Sequence, residues 1–325
     1  MKLVIRGGFA IPKNFEKVVV KTLSHIGNAR KLLETEKRRR GVPVGDLLFI
    51  GMADTASFYW CPMKSLLANI DMEPQFFASY LHDRLLYALK LGYAKRPPKT
   101  VKEILLVGEE ITFDDVEKLL KDKEKRELGK PPPYVTLSAR TPKGGVKVMV
   151  LNPLLSPELK IKLTKIAEKK RIKVVSFDDA PPKLRGAIYE EFLAERYPTI
   201  RWNFRWENYV VVGVPDGITD EFVYEFKTTG SEFLLGYIER SALAQGDLYG
   251  YFFRRKNKRV QVYVVDEKET VTWHEEVNEA NAVSLLKAFR QLDETHEFSL
   301  PEKWKCNRCD FKGQCKLKSP LRSEG

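Results

Sequence analysis

Asp216, Glu225 and Lys227 are the residues whose types and spacing best suit them to hold a divalent cation and direct a water molecule. They lie in Tyr209–Gly230, which reads as two short strands joined by a tight connection. Tyr209–Val214 is apolar and β-branched, Pro215-Asp216-Gly217 breaks it, and Phe222–Thr228 resumes the extended pattern. Side chains alternate along a strand, so Glu225 and Lys227 leave one face while Tyr224 and Phe226 leave the other. Asp216, at the mouth of this expected hairpin, can meet the charged face. Two carboxylates supply hard oxygen ligands for a divalent ion, and a lysine beside them can orient water or steady developing negative charge. Taken singly, Pro-Asp-Gly is an ordinary turn and Glu-Phe-Lys an ordinary strand with a solvated face. The order Gly213-x-Pro215-Asp216-Gly217 followed by Glu225-x-Lys227 is much rarer.

The second chemical set is sulfur. Cys306, Cys309 and Cys315 form a C-x2-C pair with a third thiol five residues on, a spacing that brings thiolates to one metal centre. Three ligands leave a tetrahedral site incomplete, and Cys61 is the fourth and last cysteine of the chain. Beside Pro62, Cys61 read by itself is small core filler. Together, four thiolates suit zinc or a cubane iron–sulfur cluster, and spacing does not separate the two. Such a centre staples the C-terminus onto an N-terminal helix.

The elements that must position these residues follow from the rest of the sequence. The chain has 325 residues, enough for one large domain or two modest ones. Its net charge of +12 favours a polyanionic partner such as nucleic acid. No apolar run approaches a membrane span and no signal-peptide core opens the chain, so a cytoplasmic protein with no membrane partner is expected. Met1–Arg40 reads as a strand (Leu3–Ile5) and a long helix ending in Lys37-Arg38-Arg39-Arg40. Leu47–Ile50 is a candidate strand, and a helix capped by Asp54 or Thr55 is expected to run through Lys64. A separate helix, Phe76–Leu91, places Phe77, Tyr80, Leu81, Leu85 and Leu89 on one face and carries His82.

Between Lys95 and Ala180 the prolines cluster and the pattern changes to that of an inserted α/β subdomain. It is expected to hold a strand (Glu103–Val107), a charged helix (Asp114–Arg126), a hairpin pairing Tyr134–Arg140 with Val146–Leu151, a helix capped by Ser156-Pro157, and a strand (Lys173–Phe177). Lys183–Tyr197 is helical and carries Gly186 and Glu190. Arg201–Trp206 alternates basic and aromatic residues, which suits either stacking on unpaired bases or a strand burying Trp202, Phe204 and Trp206. A helix over Ser241–Arg255 sets Gln245 and Tyr249 one turn apart. Arg254-Arg255-Lys256 reads as an exposed turn able to meet phosphates. A hairpin (Arg259–Val265 with Thr270–Val277) and a helix (Glu279–Leu292) complete the pattern.

An upstream Cys in Tyr59-Trp60-Cys61-Pro62, the set Asp216…Glu225-Phe226-Lys227, the pair Gln245-x3-Tyr249 and the C-terminal cysteines stand in one order. That order resembles the RecB-type branch of the PD-(D/E)XK nucleases with an iron–sulfur cluster. The nearest pattern is that of the CRISPR-associated exonuclease family known as the fourth core Cas protein. The likeness covers about residues 53–92 and 183–316, with Lys95–Ala180 as an extra. It implies an α/β (α+β) fold of the restriction-endonuclease type, a mixed sheet flanked by helices. The implied layout is an N-terminal helical region (1–94) giving the first cluster cysteine, an inserted subdomain (95–182), the nuclease core (183–300) and a C-terminal cluster segment (301–325).

The resemblance further implies Mg2+ or Mn2+ on Asp216 and Glu225 with help from the Phe226 carbonyl. Lys227 would assist the attacking water, and Gln245 and Tyr249 would contact DNA near the metal. It implies a 4Fe-4S cluster on Cys61, Cys306, Cys309 and Cys315 that is structural rather than catalytic. The family's histidine in a Gly-x3-His pattern is replaced, since Gly186-x3 arrives at Glu190. Glu190 is therefore the expected third ligand, with His82 as the competitor. The implied activity is metal-dependent cleavage of single-stranded DNA or frayed ends during capture of new CRISPR spacers, alongside integrase proteins. A repair or mobile-element nuclease of the same fold, or a catalytically weak DNA-binding scaffold, are the alternatives.

Overall fold

The computed structural model describes residues 34–35, 38, 48–91, 134–141, 144–152, 155–175, 182–199, 201–295, 301–313 and 315. It is a mixed α/β fold with three sheets. The expectations for Leu3–Ile5, Glu103–Val107 and Asp114–Arg126 fall outside the described residues.

The first sheet has the order β1-β6-β5, where β1 is Phe49–Gly51, β5 Trp202–Trp206 and β6 Tyr209–Gly213. β1 runs parallel to β6 and β5 antiparallel to it. Trp202 is buried, and Phe204 and Trp206 pack partly buried against the same core, so this alternating segment spends its aromatics on packing rather than on bases. The second sheet has the order β10-β9-β8-β7: β7 Gly217–Ile218, β8 Phe222–Thr229, β9 Asn257–Val264 and β10 Glu269–Glu276. β8 and β9 are parallel and need a crossover, which helix α5 (Glu232–Phe253) provides. The third sheet is β2 (Tyr134–Thr141), β3 (Gly144–Leu151) and β4 (Lys173–Val175), with helix α3 (Pro157–Lys169) between β3 and β4. The Ser156 hydroxyl accepts from the Leu159 N–H, the cap its position before Pro157 predicts.

Several local expectations change. Tyr209–Gly230 is not one hairpin, because β6 and β8 belong to different sheets and the hairpin partner of β8 is the two-residue β7. The helix assigned a start at Asp54 begins at Met52, with Gly51 as its cap residue. This α1 (Met52–Ala56) gives way to a 3-10 turn (Ser57–Tyr59) before α2 begins at Pro62. Finally, α2 runs unbroken from Pro62 to Leu91, absorbing the separate helix expected from Phe76. Pro74 lies inside it and removes one bond to the carbonyl of Ile70. Ile70 is exposed, so water can reach the freed carbonyl.

Helix α5 is the axis of the molecule. From Ala244 to Gly250 each side chain is buried, as expected of a helix enclosed on all sides. It joins Ile50, Met52, Val211, Ile218, Leu248, Phe253, Leu286 and Phe289 in the main core, with α6 (Glu279–Thr295) covering its far side. Gly250 admits α6's approach segment so closely that a Cβ there would meet Val277 Cγ2 at 2.1 Å. The sequence pattern starts this helix at Ser241; it starts nine residues earlier, through Gly236. Asp247 on α5 forms a buried pair with Lys258 of β9 at 2.6 Å, and also accepts from the Asn278 N–H and the Asn281 side chain.

Candidate active site and metal centre

β8 is an interior strand of valine, tyrosine, phenylalanine and threonine, and Val223 to Phe226 are all buried. Val223 packs with Leu248 and Tyr249 of α5. Tyr224 and Phe226 pack instead with Ile188, Tyr189 and Phe192 of α4 (Pro182–Leu193). Glu225 thus shares the α5 side with Lys227, and the two form an ion pair.

The register of β7 against β8 pairs Gly217 with Tyr224 and Ile218 with Val223. One step further places Asp216 opposite Glu225. There the Asp216 carboxylate accepts from the Phe226 N–H at 2.8 Å, hooking onto the strand that carries the pair. Gly217 is needed for this approach, since a Cβ would lie 2.4 Å from Tyr197 Cβ.

The bend before Asp216 is held from two sides. The Tyr249 hydroxyl donates to the Val214 carbonyl at 2.9 Å, and the Thr199 hydroxyl to the Pro215 carbonyl at 2.5 Å. The Gln245 amide donates to the Tyr249 oxygen at 2.9 Å. Gln245 and Tyr249 are both buried, and what they demonstrably touch is each other and this bend.

Glu225 is 1% exposed, and apart from Lys227 neither of its carboxylate oxygens has a donor. Burial pushes its carboxyl up to about 8. Asp216 and Glu190 add to the rise through their charge, and Lys227 opposes it. Burial alone would lower Lys227, but the charges of Glu225, Asp216 and Glu190 hold its ammonium raised on balance. Burial and the same acidic field raise the Tyr249 hydroxyl. Glu190, on α4 one turn beyond Gly186, is therefore within electrostatic reach of the Glu225–Lys227 pair.

Of the expected site residues, Asp216, Glu225 and Lys227 stand side by side, and the charge of Glu190 acts on that group. His82 lies on α2 where the side chains fall outside the described residues. The charge of Lys227 also acts on Asp54. Burial raises its carboxyl, while the charges of Lys64 and Lys227 lower it. Sequence reading gave Asp54 only a capping role. Its position just after β1, the parallel neighbour of the strand leading to Asp216, is the signal that could have marked it.

The four cysteines line one cavity with Trp60, Met63, Leu67, Phe311 and the stems of Lys64, Lys305 and Lys312. Burial raises the Cys61 thiol most, against two backbone hydrogen bonds that lower it, and Cys306 and Cys309 add to the rise. Cys306 is raised by burial and by Cys315 and Cys309. Among the described residues, no three His, Cys, Asp or Glu side chains stand close enough together to hold a metal ion.

The chemistry of both donor sets nevertheless fits cations. Glu225 offers a buried carboxylate whose charged partner is Lys227, and four thiols around one cavity flanked by three lysines suit a tetrathiolate centre, which is anionic overall.

No protein-family model matches the chain, and no curated protein matches it. Among solved structures, a crystal structure of SSO0001 aligns over 94% of this chain and 98% of that chain, at 14% identity with a TM-score of 0.33. A likeness that distant carries no argument about fold or function.

Proposed function

We propose that this chain is a metal-dependent deoxyribonuclease that hydrolyses phosphodiester bonds in single-stranded DNA or frayed ends. The observation that carries the reading is the placement of Asp216. Its carboxylate is hooked to the Phe226 N–H, directly beside the pair of buried Glu225 with half-buried Lys227. This is the arrangement the PD-(D/E)XK resemblance implies.

Asp216, Glu225 and Glu190 would hold Mg2+ or Mn2+, which supplies Lewis acidity toward the phosphate and activation of water. Lys227 orients the attacking water and faces the charge that develops on phosphate oxygen. A bond forms from water oxygen to phosphorus, one ester P–O bond breaks, and the leaving oxygen takes a proton. Cys61, Cys306, Cys309 and Cys315 would hold a 4Fe-4S cluster that pins the C-terminal segment to the start of α2. The basic net charge supports DNA as the substrate. A cytoplasmic role in preparing new CRISPR spacers, with integrase proteins as partners, rests on the resemblance.

The test is cleavage of end-labelled single-stranded DNA with Mn2+ or Mg2+ by anaerobically purified protein, paired with an iron assay and absorption spectrum. Metal-dependent cleavage lost in Lys227→Ala, from brown, iron-loaded protein, supports the reading. The observation favouring a DNA-binding scaffold instead is that the acids do not close on a metal position among the described residues. Tight DNA binding without cleavage in any divalent ion would select that reading.

A further inference from the structure

Asp216 stands just ahead of β7, a strand of two residues that pairs with β8 only through Gly217 and Ile218. So short a strand gives the turn before it little hold of its own. Further hold comes from Glu195–Thr199, the segment that follows α4 and touches the chain on both sides of Asp216. The Pro198 carbonyl accepts from the Ile218 N–H at 2.7 Å, and the Thr199 hydroxyl donates to the Pro215 carbonyl. Tyr197 occupies the space that a side chain at Gly217 would need.

The start of this segment is fastened to the sheet that carries the site. The Glu195 carboxylate accepts from the Arg259 guanidinium through both oxygens, from the Gln261 amide at 2.9 Å and from the Tyr197 hydroxyl. The Glu195 N–H donates to the Tyr224 oxygen at 2.9 Å, and the Tyr224 hydroxyl donates in turn to Gln261 at 2.6 Å. The Tyr197 ring meets Phe222 and Tyr224 edge-on, at 5.3 and 5.1 Å between centroids. Arg259 and Gln261 belong to β9, opposite Tyr224 and Phe226 of β8, so the anchor flanks Glu225 in register. With donors on both oxygens, the Glu195 carboxylate is spent on holding the chain and is not a further metal ligand. A two-pronged guanidinium contact fixes position as well as charge.

We infer that Glu195–Thr199 is a positioning strap for Asp216, and that Arg259, acting through Glu195, sets how tightly the site holds its divalent ion. The inference deepens the nuclease reading and rests on it for Asp216 as a metal ligand. Arg259, Glu195 and Thr199 are positioning residues, since each acts on the ion only by way of the turn that carries Asp216.

The test is titration of the full-length protein with Mn2+, the free ion being read by electron paramagnetic resonance. Arg259→Met keeps the apolar stem, removes the guanidinium and is expected to weaken Mn2+ binding roughly tenfold, as loss of a residue bracing a metal ligand does. The sign is informative. Removing a cation near an acidic site tightens Mn2+ binding by charge alone, so weakening reports a displaced carboxylate. Thr199→Val deletes one hydroxyl of the strap and is expected to weaken binding about threefold. Arg290→Met breaks the similarly exposed pair with Glu207 and is expected to leave binding within about twofold of wild type.

Unchanged or tighter Mn2+ binding in folded Arg259→Met overturns the strap, and so does equal weakening in Arg290→Met. If a thermal melt shows Arg259→Met unfolded, the same criterion passes to Thr199→Val. Cleavage of single-stranded DNA by wild type decides the nuclease reading separately. If cleavage is absent yet Mn2+ binding depends on Arg259 or Thr199, that reading falls and the strap stands. If wild type cleaves and the variants hold Mn2+ as it does, the strap alone falls. A wild type that binds no Mn2+ overturns both.

Discussion

Glu225 is the residue on which the charge balance of the site turns. Ordinary glutamate ionises near 4.5, and burial with Asp216 beside it moves Glu225 to about 8. Between those values the folded chain keeps a proton that the unfolded chain releases. Stability of the metal-free protein should therefore fall as pH rises from about 4.5 to about 8, and level off above. Lys227, also raised, loses stability in the same direction as pH rises, but only above its ordinary 10.5, outside that window. Glu225→Gln is expected to flatten the decline, as read by melting temperatures across the same pH range. Binding of a divalent ion should correspondingly expel a proton near neutral pH, measurable in buffers of different ionisation enthalpy. Lys227→Ala is expected to lower cleavage by about 10²–10³-fold while DNA binding persists, as read by single-turnover assays. Glu190→His should shift metal preference from Mg2+ toward Mn2+, because imidazole replaces an oxygen ligand that suits the harder ion. A metal titration of cleavage checks it.

At the scale of elements, the connection from β6 to β7 decides where Asp216 stands, and α5 holds that connection. Tyr249→Phe removes the donor to Val214 and leaves the Gln245 amide without its acceptor. It should cost about 1–3 kcal/mol in stability and reduce kcat more than KM, as the carboxylate loosens. Denaturant melts and steady-state kinetics separate the two effects. Gln245 and Tyr249 sit one turn apart in the sequence, but nothing in that spacing says they face inward onto a bend thirty-odd residues upstream. Likewise, the alternation of β8 was legible and its partners were not. The pairing of β8 with β7 and β9 depends on α5 crossing over, which a local pattern does not encode.

The whole molecule is tied by contacts between distant segments. The buried Asp247–Lys258 pair joins α5 to β9, and the two asparagines at the start of α6 complete it. Asp247→Ala leaves the buried Lys258 ammonium with only the Glu275 carboxylate, at 3.5 Å, and is expected to cost about 3 kcal/mol, seen as a lowered denaturation midpoint. The cysteine cavity joins Cys61 to residues some 245 positions later. Cys61→Ser is expected to lose bound iron and to free the C-terminal segment for limited proteolysis. No helix among the described residues is long and apolar enough to cross a membrane.

By itself, the sequence determined the local facts. Glu225 and Lys227 leave one face because strand side chains alternate, Ser156 caps a helix because its hydroxyl can reach back, and β2 and β3 pair antiparallel. Those follow from steric and hydrogen-bonding rules that act over a few residues. Only the tertiary structure decided that β6 and β8 part into separate sheets, and that the charge of Glu190 acts on Glu225 and that of Lys227 on Asp54. It also put Trp202 and Phe204 into the core and left Phe233 outside. A side chain's burial and charge environment are set by segments far away in sequence, and packing in a shared core, not local spacing, selects which of them meet.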